Sequence, residues 1–131
     1  MPYSPLAAGH LTRPTWHTDT HRSKTDRVAM GKYDRTESQD MQIVSRVAAL
    51  AKQYGVNMQQ IALAWHWAKG VASPIVGATK SYYLDDTVNA LSIKLTDAGL
   101  AYLEELYVPH RIIGAIDHNP ADGVMLLDEK K

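Results

Sequence analysis

The chain has 131 residues, enough for one domain with a sizeable core, and its 14 basic and 14 acidic side chains leave no net field to draw in nucleic acid or an anionic membrane. It has no cysteine, which excludes disulfides, thiol catalysis and cysteine-held metals and sits easily with a reducing compartment. No apolar run approaches the roughly 20 residues that span a bilayer, and the N-terminus shows no charged-then-apolar leader, so a soluble cytoplasmic protein is expected.

In chain order, residues 2–8 form a short apolar run with Pro2 and Pro5, which suits a strand end and not a central ladder. The run ends in Tyr3-Ser4-Pro5-Leu6-Ala7-Ala8-Gly9, a loop of small, hydroxylic and glycine residues. Residues 10–37 are polar and lack a sustained apolar period, so a long and mostly unstructured connection is expected there. From Ser38 the spacing of Met41, Val44, Val47, Ala48, Ala51 and Tyr54 predicts an amphipathic helix over about 39–54, closed by Gly55. Asn57 with Gln60 reads as a variant capping box for a second helix over 58–69. That helix is apolar nearly all round and is expected to be buried.

A strand over Pro74–Ala78 follows and runs into Gly77-Ala78-Thr79-Lys80-Ser81, then a helix over about 82–91. Thr96 caps another helix over 97–106, and no structure is assigned to the tail from Val108. On the helix after Lys80, Leu84, Val88 and Leu91 share a face that should pack on the strands. Tyr83, Asp86 and Thr87 share another.

Both strand-to-loop segments have the make-up of a phosphate cradle. Glycine admits a close backbone approach, while hydroxyls and the N–H groups of a helix start meet negative oxygens. Tyr3 brings an aromatic face to the first and Lys80 a cation to the second. Tyr83, Asp86 and Thr87 could stack on adenine and accept its exocyclic amine, although an ordinary solvated helix face carrying a tyrosine would look the same.

Taken together and in this order, with a helical pair between them, these segments resemble the last two strand–helix units of an aldo-keto reductase. The Ile61-Ala62-Leu63-Ala64-Trp65 run and the Tyr107-Val108-Pro109-His110 stretch are similar to bacterial members of that family. The resemblance covers residues 2 to about 114. It implies an α/β fold, part of a (β/α)8 TIM barrel, with residues 1–114 as the C-terminal barrel portion and 115–131 as a poorly ordered tail. It implies NADP(H) as cofactor. The nicotinamide ring would stack on Tyr3, with Ser4, Leu6 and Gly9 on the same loop. Gly77, Thr79 and Lys80 would hold the adenosine 2′-phosphate, with adenine contacts at Tyr83 and Asp86. Thr87 stands where many members carry an adenine-contacting asparagine.

The departure from the family pattern is equally specific. A complete barrel needs roughly 250 residues and eight strands, and this chain resembles two units alone. The family's catalytic aspartate, tyrosine, lysine and histidine lie on earlier strands, so no position here inherits them, and Tyr3 matches the stacking tyrosine and not the proton donor. Met1 directly before Pro2-Tyr3 points to an internal or artificial start. Two apolar helix faces and two strand edges would remain uncovered, so self-association or a complementing N-terminal barrel portion is expected.

Other patterns are weaker. His17 and His21 have metal-ligand spacing only if helical, and no metal is assigned. His66, between Trp65 and Trp67, reads as a tucked core or edge histidine. The helix–Gly55–helix unit imitates a DNA-binding helix-turn-helix, but its second helix offers only Lys69 as a cation. Two function classes stay open: part of a carbonyl reductase driven by NADPH, or a non-catalytic module that binds NADP(H) or packs with a partner.

Overall fold

The order of elements follows from where apolar spacing and capping chemistry coincide. A computed structural model describes residues 1–16, 33 and 36–110. Among these there are four α-helices: α1 (Glu37–Tyr54), α2 (Met58–Ala68), α3 (Ser81–Asn89) and α4 (Asp97–Glu104). Single 3₁₀ turns form at Ala7–Gly9 and Ala90–Ser92.

Helix α1 carries Glu37 and Asp40 in its first turn, where a carboxylate meets the positive end of the helix dipole. It ends in a Schellman turn: the Gly55 N–H donates to the Lys52 carbonyl at 3.3 Å and the Val56 N–H to Ala51 at 3.0 Å. The turn needs Gly55 at φ 65°, a left-handed conformation that costs glycine no steric penalty. Helix α2 then starts on a reciprocal capping box. The Gln60 N–H donates to Asn57 Oδ1 at 3.0 Å, and the Asn57 N–H donates to Gln60 Oε1 at 3.1 Å. Thr96 caps α4 by accepting the Gly99 N–H at 3.1 Å.

Helix α2 is the central element. It packs on α1, on α3 and on the Ala90–Ser92 turn, while α1 also receives α4. Ile61 and Leu63 on α2 and Val44 on α1 are fully buried. Around them lie Val47, Leu50, Ala51, Met58 and Leu103. The first half of α2 is buried as its composition predicts, but Trp65, His66 and Trp67 are half-buried.

Polar ties fix the far ends of the helices. The Trp65 indole N–H donates to Glu104 Oε1 at 2.7 Å, and Lys69 Nζ reaches the same carboxylate at 3.2 Å. Arg46 pairs with Glu105 and lies over the Tyr102 ring at 4.4 Å. His110 Nε2 lies 3.0 Å from Asp40 Oδ1, joining the chain beyond α4 to the first turn of α1.

Three sequence expectations need correction. The strands expected at 2–8 and Pro74–Ala78 contract to one parallel bridge, Tyr3 with Ile75, in which the Ile75 N–H donates to the Pro2 carbonyl at 3.0 Å. Pro2, Pro5 and Pro74 have no N–H to give a ladder, and a parallel pair takes its stability from neighbours on both edges and cover on both faces. The bridge keeps the parallel sense of a βα layer. It does not amount to a sheet, so the partial barrel expected from the sequence is not visible as strands among the described residues.

The second correction concerns residues 10–37, of which the described part is packed and not loose. Trp16 is buried in the core, with His10 edge-on at 4.3 Å and Tyr33 a further 4.8 Å from His10. Large rings reach the core from irregular backbone without producing a period. The third is the orientation of α3. Leu84, Val88 and Leu91, expected to face the strands, are 51%, 63% and 55% exposed. The opposite face is turned inward, because Gln59 on α2 holds it. His17, His21 and the tail 115–131 lie outside the described residues.

Two outcomes follow from the packing. Ile61→Ala, which opens a void beside Val44, should cost about 2–5 kcal/mol in urea unfolding, whereas Lys94→Ala on the exposed surface should fall within about 0.5 kcal/mol of wild type. The Glu104 carboxyl is held below its ordinary range by the Trp65 indole N–H first and by Lys69 second. Its contribution is therefore present above the ordinary carboxyl pKa and lost as pH falls through the lowered one. Wild type should unfold at higher urea than Glu104→Gln at pH 7, and the gap should narrow steadily below pH 4.5.

Candidate functional site

Because Tyr3 and Ile75 pair in the parallel sense, the loops that follow them leave the bridge in the same direction. That places the Ser4–Gly9 and Gly77–Lys80 segments at one edge of the molecule.

The first loop is conformationally unusual. Ser4, Ala7 and Ala8 all sit at positive φ (56°, 48° and 54°), a region that costs side-chain-bearing residues free energy and persists only when surroundings enforce it. Here the enforcement is visible. The Ala7 N–H donates to the Ser4 carbonyl at 3.0 Å and the Ala8 N–H to Ser4 Oγ at 3.2 Å. Gly9 donates to Leu6 at 2.9 Å, and Thr12 Oγ1 donates to Gly9 at 2.8 Å. From outside, His66 Nε2 donates to the Pro5 carbonyl at 3.0 Å. His66 is thus an edge histidine that pins the loop to α2.

Ser4 accepts through its oxygen and so keeps its hydroxyl proton for another acceptor. Tyr3 lies 78% exposed beside it. The sequence reading missed Arg13, whose guanidinium nitrogen lies 3.6 Å from where a Cβ on Gly9 would stand. Arg13 falls in the stretch expected to be a loose connection, where no pattern singles it out. Gly9 itself is at φ 97°, open to glycine and strained for any other residue.

The second loop is exposed from Gly77 to Lys80, and a Cβ on Gly77 would meet nothing within 4 Å. Lys80 is the residue before α3, with extended backbone, and no side chain caps that helix start. An uncapped helix start with a cation beside it offers an anion both N–H donors and charge. The Lys80 ammonium is held above its ordinary pKa by the Tyr82 hydroxyl, so it is charged throughout the neutral range. Tyr82 is pulled down by hydrogen bonding to Tyr83 first and Lys80 second, and Tyr83 is pushed up by Tyr82.

On α3 the three residues grouped by spacing separate in role. Tyr83 and Asp86 are half-buried at the loop side. Thr87 Oγ1 donates to the Tyr83 carbonyl at 2.8 Å and accepts from Gln59 Nε2 at 2.9 Å. Gln59 also reaches the Tyr83 carbonyl, at 3.0 Å. With its hydroxyl engaged on both sides, Thr87 docks α3 on α2.

A cleft of about 440 Å³ borders the first loop at Ala7 and is otherwise lined by His10, Trp16, Tyr33, Ile43 and His110 among others. It takes no residue from the second loop and is separate from the cationic helix start. No group of three metal-ligating side chains occurs among the described residues, and none of their helices is long and apolar enough to cross a membrane.

The family model described as Aldo/keto reductase family matches residues 1–108. Versiconal hemiacetal acetate reductase of Aspergillus parasiticus is 37% identical over 113 residues, covering 86% of this chain and 33% of that protein. A provisionally named aryl-alcohol dehydrogenase of Schizosaccharomyces pombe is 42% identical over 120 residues, 88% of this chain and 32% of its own. Aldo-keto reductase AMT2 of Alternaria alternata is 35% identical over 108 residues, 82% and 28% respectively. All three are fungal proteins. The chain spans about one third of the length of the curated relatives it matches. The family model covers most of the chain, and this chain belongs to the aldo/keto reductase family of oxidoreductases.

Proposed function

We propose that this chain is the cofactor end of an aldo/keto reductase, contributing the last two strand–helix units of a (β/α)8 barrel and binding NADP(H). The parallel bridge carries the reading, since the Ser4 loop and the segment leading to the uncapped helix start at Lys80 leave it in the same direction. The residues present fit a dinucleotide. Tyr3 offers an exposed ring for nicotinamide, and Ser4, Leu6 and Gly9 line the path of the diphosphate. Gly77 admits the backbone to close approach, and Thr79 with Lys80 meets a 2′-phosphate. Tyr83 and Asp86 serve the adenine, while Thr87 keeps its anchoring role. When bound, NADPH would supply hydride for reduction of an aldehyde or ketone.

Hydride transfer to a carbonyl also needs an acid to protonate its oxygen. No residue of this chain matches the family's catalytic tyrosine, lysine, aspartate or histidine. Its work is therefore to bind and orient the nucleotide, with the acid supplied by the barrel units that the relatives carry in their additional length. The exposed stripe of Leu84, Val88 and Leu91, with Ile75 at the bridge, favours association through either a second copy or a complementing N-terminal portion. The alternative, a non-catalytic NADP(H)-binding or partner-packing remnant, has the same surface and lacks only the complementing units. A cytoplasmic setting suits a chain without cysteine.

Titration with NADPH and NADH, followed by tryptophan fluorescence, tests the cofactor assignment. Lys80→Ala should weaken NADPH about ten-fold or more and NADH little, because only NADPH carries the extra phosphate. Equal losses for both would show that Lys80 does not read it. The purified chain alone should not reduce 4-nitrobenzaldehyde, and turnover abolished by Tyr3→Phe would make Tyr3 an acid after all. Sedimentation should show self-association, and a monodisperse monomer at high dilution would refute it.

A further inference from the structure

Helix α3 begins with two adjacent tyrosines that are held differently. Tyr83 is half-buried, and its carbonyl accepts from both Gln59 and Thr87, so its ring stands on a fixed base. Tyr82 is 49% exposed and leans on it, with ring centroids 4.4 Å apart and planes tilted by 51°. The Lys80 ammonium stands 5.6 Å from the centroid of Tyr82, inside the range in which a ring face attracts a cation. Gln59, Tyr83, Tyr82 and Lys80 thus form a continuous run from the buried surface of α2 to the start of α3.

We propose that Tyr82 is a positioning residue for specificity: its ring holds the Lys80 ammonium at the start of α3, poised for the 2′-phosphate of an adenine nucleotide. This deepens the NADP(H) reading above and rests on it. A lysine side chain is a flexible stem ending in rotatable donors, so fixing it before the ligand arrives removes an ordering cost from binding. The nature of the holder matters. A carboxylate would neutralise the ammonium and compete with phosphate, and none pairs with Lys80 among the described residues. An aromatic face attracts the cation and leaves its charge intact. The nearest acidic influence on the two rings is Asp86, one turn further along α3. The elevated Lys80 pKa has a second source in the same residue, hydrogen bonding to the Tyr82 hydroxyl, so ring and hydroxyl act on the ammonium together.

Binding of 2′,5′-ADP and 5′-AMP to wild type, Tyr82→Leu and Tyr82→Phe is the test, with isothermal calorimetry as readout. A second readout is the NMR signal of Lys80 in chain whose lysines carry ¹³C-methyl labels, which ring currents should displace. Wild type should prefer 2′,5′-ADP. Tyr82→Leu should lose about two- to five-fold of that preference with 5′-AMP affinity unchanged, and its Lys80 signal should move to the position of an ordinary lysine. Tyr82→Phe, which keeps the ring and removes only the hydroxyl, should keep the displaced Lys80 signal and show a preference between those of wild type and Tyr82→Leu. An undiminished preference in Tyr82→Leu, or a raised one, overturns the proposal and leaves the NADP(H) reading standing. A fall in preference without movement of the Lys80 signal overturns it also. A wild type indifferent to the 2′-phosphate removes the NADP(H) reading itself, and the role of Tyr82 with it.

Discussion

The side-chain amide of Gln59 decides how half of this molecule is presented. It is a buried polar group on a mostly apolar helix, and leaving such a group without partners would be costly. Its partners are the Tyr83 carbonyl and the Thr87 hydroxyl, both on α3. Satisfying them fixes the roll of α3 about its axis. Tyr83 and Thr87 turn inward, the Leu84–Val88–Leu91 stripe turns outward, and the helix start is left beside the second loop. One amide thereby sets both the surface available to partners and the orientation of the anion-binding end.

The first loop is governed by a different constraint. Three non-glycine residues at positive φ amount to stored strain, and the loop persists because its own turns and His66 over-determine it. The same strain turns the Ser4 oxygen toward the Ala8 N–H and leaves its proton outward. The shape of this loop is thus set by its own hydrogen bonds and by His66, whereas the shortness of the bridge traces to the prolines and to absent neighbouring strands.

Much of this was legible in the sequence. The capping box at Asn57 and Gln60, the Gly55 stop and the Thr96 cap are local chemistry, and each helix stands within a turn of its predicted bounds. The family was legible for a similar reason, since its motifs are short loops whose residues are contiguous. What could not be read was set by distance along the chain. Nothing in the apolar spacing of α3 signals that a glutamine 24 residues earlier would claim its polar face. Trp16, separated from the core by polar neighbours, gave no period to detect. The strands were overestimated because an apolar run records burial in a complete sheet, and a ladder also requires partners.

The Tyr3–Ile75 bridge has a consequence for symmetry. A parallel pair has two edges that are not equivalent, because one belongs to the N-terminal segment and the other to the later one. A two-fold axis normal to such a layer would join like edges and run their strands in opposite directions. Copies that continue the layer in the same direction must instead join unlike edges, which is a head-to-tail arrangement. Such contacts repeat until the accumulated rotation closes a ring, and otherwise they extend without limit. For any copy that docked edge to edge on this bridge, the handed twist between neighbouring strands would decide whether the contacts close or run on.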